Sequence, residues 1–172
     1  LKEVYTEHGA AVFNGDGYSS EWHEKAVSGR GLKNLKTTPE ALPELISEQT
    51  VAMFEKYSIL TKQELHSRFE VYTEQYIEKV LVEIKTGLRI ASTMVLPAAI
   101  RYQTDLAQNA AYLKELEIAG DFSNLETVST LTKALQEKIA DLSAKVAQEG
   151  DSTYSCNTLL PGLVSLRETV DA

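Results

Sequence analysis

The chain has 172 residues, enough for one domain with a core of its own. Its formal net charge of −8 argues against a nucleic-acid partner, because affinity for a phosphate backbone comes mainly from Lys and Arg. A single cysteine, Cys156, excludes an internal disulfide and reads as a small packing residue rather than a reactive thiol.

The opening stretch LKEVYTEHG sets Leu1, Val4 and Tyr5 at helical spacing, with Gly9 as a stop. A sequence that starts inside a helix without a methionine is expected to be a piece of something longer. AAVF follows and reads as a short strand. Asn14-Gly15-Asp16-Gly17 then turns the chain, and Tyr18 and Trp22 are expected to anchor the next helix. Ser20 is expected to cap that helix, through EWHEKAVS, and Gly29 and Gly31 to end it. LKNL reads as a linker. In TTPEALPELI, Thr38 is the expected N-cap, Pro39 fits the first helical position and Pro43 ends or bends the turn. Ser47 caps EQTVAMFEKYS, whose expected apolar side is Val51, Phe54 and Tyr57.

The character changes at Thr61, which forms a capping box with Glu64. Leu65, Phe69, Tyr72, Tyr76, Val80, Ile84, Leu88, Ala91 and Val95 recur at spacings of three or four, the face of a helix on the order of 50 Å long. Pro97 interrupts it, but apolar residues continue through Ile100, Leu106, Leu113 and Leu116. A kinked helix running to about Glu117 is expected, with the Thr93 carbonyl needing a new donor. The apolar stretch IASTMVLPAAI at this bend is far short of the ~20 residues that span a bilayer, so a soluble, cytoplasmic protein is expected. AGDFSN breaks the pattern. Ser123 and Glu126 suggest a second capping box for a helix carrying Val128, Leu131, Leu135, Ile139, Leu142 and Val146. A last helix, about Tyr154 to Val170, contains Pro161. The fold class expected is mainly α: an antiparallel helical bundle with long, proline-kinked helices and a short N-terminal strand and turn segment.

Bundle helices often hold metals, but the residues three before His8, His23 and His66 are Tyr5, Ser20 and Gln63, so the Glu-x-x-His pattern does not occur. There is no His-Glu-x-x-His helix, no Gly-x-Ser-x-Gly elbow and no P-loop lysine. Asn14-Gly15-Asp16-Gly17 lacks the third glycine of a dinucleotide fingerprint and the third ligand of a calcium loop, so it reads as a turn. The helical carboxylates read as a solvated face. Tyr72, Tyr76 and Tyr102 read as core residues whose hydroxyls reach the rim. No catalytic, cofactor-binding or metal residue is assigned.

The blocks VFNGDGYSSEWHEKA, GLKNLKTTPEALPELIS, LHSRFEVYTEQYIEKV and VLPAAIRYQTDL, in this order, resemble the C-terminal region of type III glutamine synthetases, the large bacterial form. The resemblance implies an enzyme that, at full length, joins ammonia to glutamate with ATP and magnesium. It also implies active sites between neighbouring subunits of a ring-shaped homo-oligomer, in a catalytic domain whose motifs are not found here. Residues 1–35 would then be the edge of that catalytic core and 36–172 a helical C-terminal domain, inactive alone, that supports assembly or covers the active site. Asn14, Gly15, Asp16, Gly17, Tyr18 and Trp22 become the candidate interdomain turn, docked on the catalytic domain of the same chain. A free-standing helical binding module without enzymatic activity is the alternative.

Overall fold

A computed structural model of the chain describes residues 2–9 and 12–172. Their contacts divide into two units, one up to Lys36 and one spanning Thr37–Ala172.

The first unit holds α1 (Lys2–His8) and α2 (Ser20–Arg30). The expected strand does not form: Val12 and Phe13 lie outside any strand, and Ala10 and Ala11 fall outside the described residues. A strand needs a neighbour to take its backbone groups; Val12 N–H instead donates back to the Gly9 carbonyl at 3.0 Å. The cap of α2 is Ser19, one residue before the expected Ser20. Gly29 stays helical and Gly31 alone ends the helix, at φ +64°, the left-handed conformation that glycine adopts without penalty.

The second unit begins with α3 (Thr38–Ala41), a 3₁₀ turn (Leu42–Ile46) and α4 (Glu48–Lys56). The N-cap of α3 is Thr37, not Thr38, and its N–H donates to Glu40 Oε2 at 3.2 Å. Ser47 caps α4 as expected, accepting Thr50 N–H at 3.3 Å. Helix α5 (Lys62–Ile90) opens on the Thr61–Glu64 box: Glu64 N–H donates to Thr61 Oγ1 at 3.3 Å and Thr61 N–H to Glu64 Oε2 at 2.8 Å.

Pro97 does not stop this helix. A π turn, Ala91–Val95, carries α5 into α6 (Leu96–Glu115), and Leu96 N–H donates five residues back to the Ala91 carbonyl. The widened turn stands where the proline ring removes a donor and crowds the carbonyl four residues back. Ser92 Oγ donates to the Leu88 carbonyl at 2.7 Å and Thr93 Oγ1 to the Arg89 carbonyl at 2.6 Å. The same device recurs after α7 (Ser123–Val146) and the short α8 (Ser152–Tyr154). A π turn, Ser155–Leu159, ends with Leu160 N–H on the Ser155 carbonyl, and α9 (Leu160–Asp171) follows with Pro161 in its first turn.

Of the apolar residues expected along α6, Leu106 and Leu113 are half-buried, while Ile100 and Leu116 are exposed. The half-buried side is Ala99, Gln103, Leu106, Ala110 and Leu113, which continues from Ala91 and Val95 at spacings of four and three; Ile100, five residues past Val95, lies off that row. The expected box at Ser123 does not form either: Ser123 is already helical, and its N–H donates to Asp121 Oδ1 at 2.9 Å.

The core is Val80, Ile84, Ala91, Leu135, Leu142, Leu159 and Leu166, drawn from α5, both π turns, α7 and α9. Small residues allow the close approaches. A Cβ on Gly162 would stand 2.8 Å from Leu142 Cδ1, and one on Gly87 2.5 Å from Leu163 Cδ1. Gln103 Nε2 donates to Ser129 Oγ at 3.0 Å between α6 and α7, and Lys138 Nζ to Ser165 Oγ at 2.8 Å between α7 and α9.

Two predictions follow from this packing. Leu142 is 1% exposed, so Leu142→Ala should cost about 2–5 kcal/mol in urea unfolding, whereas Val164→Ala, at 57% exposure, should cost under about 0.5 kcal/mol. Glu64 is held below its ordinary pKa of 4.5, first by the backbone N–H of Thr61 and then by its hydroxyl. A carboxylate with a depressed folded pKa contributes above its unfolded pKa and loses that contribution as pH falls through the folded value. The stability gap between the protein and Glu64→Ala should be full at pH 7 and shrink steadily below pH 4.5 in paired urea titrations.

Candidate functional site

The Asn14–Gly17 segment is a turn built on Asp16. Asp16 Oδ1 accepts Tyr18 N–H at 2.9 Å, and its carbonyl accepts Ser19 Oγ at 2.8 Å. Ser19 Oγ then accepts Trp22 N–H at 3.2 Å. One hydroxyl thus joins the turn to the first turn of α2, as an Asx-turn followed by an N-cap. Asn14 and Gly15 lead into the turn, and Gly15 lies under the Phe13 ring, which would collide with any side chain there.

Trp22 and Tyr18 part company. The Trp22 ring stacks on Phe13, with centroids 3.9 Å apart and planes at 24°. The Arg30 guanidinium, two turns along α2, lies 4.9 Å from the Trp22 ring and 6.0 Å from Phe13, within cation–π range. Lys25 Nζ stands 6.0 Å from Phe13. Trp22 therefore fastens the segment before the turn to the helix after it, as expected. Tyr18 does not: it is 96% exposed and anchors nothing among the described residues. Phe13 and Arg30 were not legible as partners of Trp22, since Phe13 was read as part of a strand and Arg30 carried no reading of its own.

Beside this stack, Ser20, His23, Glu24, Val27, Asn34 and Lys36 line an open depression of about 620 Å³. In the second unit, Tyr76 packs against the core while Tyr72 and Tyr102 are exposed. Burial, then a hydrogen bond with Cys156, then the charges of Cys156 and Glu83 push the Tyr76 hydroxyl up to about 12, so it stays protonated at neutral pH. Cys156 is half-buried. Among the described residues no three His, Cys, Asp or Glu side chains converge as a metal site would require, and no helix is long and apolar enough to cross a membrane. What the first unit presents is an aromatic corner, Trp22 on Phe13, with Tyr18 projecting beside it.

Trp22 is the only tryptophan in the sequence, so its fluorescence reports on this corner alone. Phe13→Ala should raise the acrylamide quenching of Trp22 and leave the far-UV circular dichroism of the long helices unchanged. Unaltered quenching would mean that the stack does not shield the indole in solution.

The glutamine synthetase C-terminal domain family matches residues 1–114. The type-3 glutamine synthetase of Dictyostelium discoideum is 34% identical over 93% of the chain, and a glutamine synthetase of Butyrivibrio fibrisolvens is 31% identical over 95%. A glutamine synthetase of Bacteroides fragilis is 34% identical over 86% of the chain. The chain spans only 23%, 23% and 19% of the length of these relatives. It belongs to the glutamine synthetase C-terminal domain family.

Proposed function

We propose that the chain is the C-terminal region of a cytoplasmic type III enzyme that ligates ammonia to glutamate, and that its role there is to support assembly around the catalytic domain. The observation that carries this is the pattern of coverage: relatives named as glutamine synthetases match almost the whole chain, yet the chain accounts for about a quarter of their length. In this reading ATP and magnesium serve the catalytic part of the full-length enzyme; among the described residues of this chain no acidic cluster converges.

Within this reading, residues 1–35 form the edge of the catalytic core, and the Asn14–Gly17 turn with Tyr18 and Trp22 is the interdomain corner. The exposure of Tyr18 supports this, because a lone projecting tyrosine is a common contact anchor. Residues 36–172 form an antiparallel helical bundle, bent at Pro97 and Pro161, that touches neighbouring subunits of a ring. The large share of outward apolar side chains on its helices supports that role.

The test is removal of residues 36–172 from the full-length enzyme, with glutamine formation and particle size measured together. Loss of assembly size and of rate is the expected outcome. An intact particle with an altered rate would move the role from assembly to the active site. A full-length protein that makes no glutamine would leave a helical binding module in place of an enzyme domain.

A further inference from the structure

The side of α5 turned away from the core is not a normal solvent face. Successive helix residues are about 100° apart, so residues two apart point to nearly opposite sides. Val82 stands two residues from both Val80 and Ile84, which are buried at 5% and 0%, and is itself 61% exposed. Lys79, Val82, Thr86 and Ile90 form a single outward stripe at spacings of three, four and four, and Ile90 is 47% exposed. Tyr72 and Val71 at one end and Met94 at the other add exposed apolar side chains at 44%, 45% and 65%.

One flank of this stripe carries a charge pattern that is unfavourable in a lone helix. Glu74 and Glu78 are four residues apart, and so are Lys85 and Arg89. Like charges at that spacing repel each other. All four side chains are exposed, and none forms an ion pair among the described residues. The pattern is symmetric: two acids, a gap centred beside Val82, then two bases, all on the same flank.

We infer that this face of α5 pairs with the same face of a second copy of the chain, antiparallel and with its two-fold axis near Val82. In such a pairing, flanking positions on the same side of the seam meet across the axis. Glu78 then faces Lys85 of the other copy and Glu74 faces its Arg89, each twice by symmetry. Val82 meets its own counterpart, and Tyr72 comes opposite Ile90. Both repulsive pairs become attractive, and the outward valine, isoleucine and tyrosine leave water. Charge complementarity within one sequence selects a second copy over an unrelated partner. The inference rests on the reading of this domain as an assembly element and names the surface that does the assembling.

The test is self-association of the 172-residue chain by sedimentation, with helix content followed by circular dichroism. Lys85→Glu with Arg89→Glu makes the flank wholly acidic and should weaken association about tenfold or more. Adding Glu74→Lys and Glu78→Lys inverts the pattern and should restore it, because both halves of the contact lie on one chain. Val82→Asp sets two carboxylates together on the axis and should abolish association with helix content unchanged. A monomer at all concentrations, or a fourfold variant as weak as the twofold one, overturns the inference. Glutamine formation by the full-length protein is a separate readout. Rescue without activity would fail the enzyme reading and leave the contact standing; activity without self-association would do the reverse.

Discussion

A proline inside a helix removes one backbone donor and presses on the carbonyl four residues earlier. This chain places such a ring at Pro97 and again at Pro161, both after a leucine, and both times a five-residue π turn precedes it. The rest of the second unit is arranged around these two widened turns. Ala91 and Ser155, the first residue of each, are buried at 3% and 1%, and Leu159 closes the second turn at 2%. The turns are therefore not surface irregularities. They sit in the core, where α5, α7 and α9 meet, and neighbouring packing can hold a wider turn in place.

The first unit depends on a different economy of contacts. It has no buried residue in either helix, and its order comes from one carboxylate, one hydroxyl and two stacked rings. A structure with so little interior takes its shape locally, through hydrogen bonds between residues two or three apart.

What could be read from the sequence divides along the same line. Thr61 with Glu64, Ser47 and Gly31 were legible because a cap is a local event, settled by residues three apart. Where two candidate caps stand side by side, as in Ser19–Ser20 and Thr37–Thr38, the type was legible and the position was not, since either hydroxyl satisfies the pattern. At Ser123 the upstream Asp121 took the donor first. Along α6 the apolar residues Leu106 and Leu113 marked the half-buried side, but Ala99, Gln103 and Ala110, which complete it, carry too little hydropathy to stand out, and the exposed Ile100 and Leu116 carry too much. The Trp22 stack was hidden because Phe13 and Arg30 reach it from opposite ends of the segment. The continuity of the helix through Pro97 was legible from the apolar residues beyond it.

The π turns also bear on how related chains can differ in length. Each is an α-helical turn holding one residue more than it needs, so it is a place where a single residue can be lost without breaking the helix. Such a loss would return the turn to α geometry and leave the downstream helix facing as it does now. A one-residue gap between relatives at Ala91–Val95 would thus leave Ala99, Gln103 and Leu106 on the same side of α6. A one-residue gap within α6 itself, with no widened turn to absorb it, would rotate everything after it by about 100°.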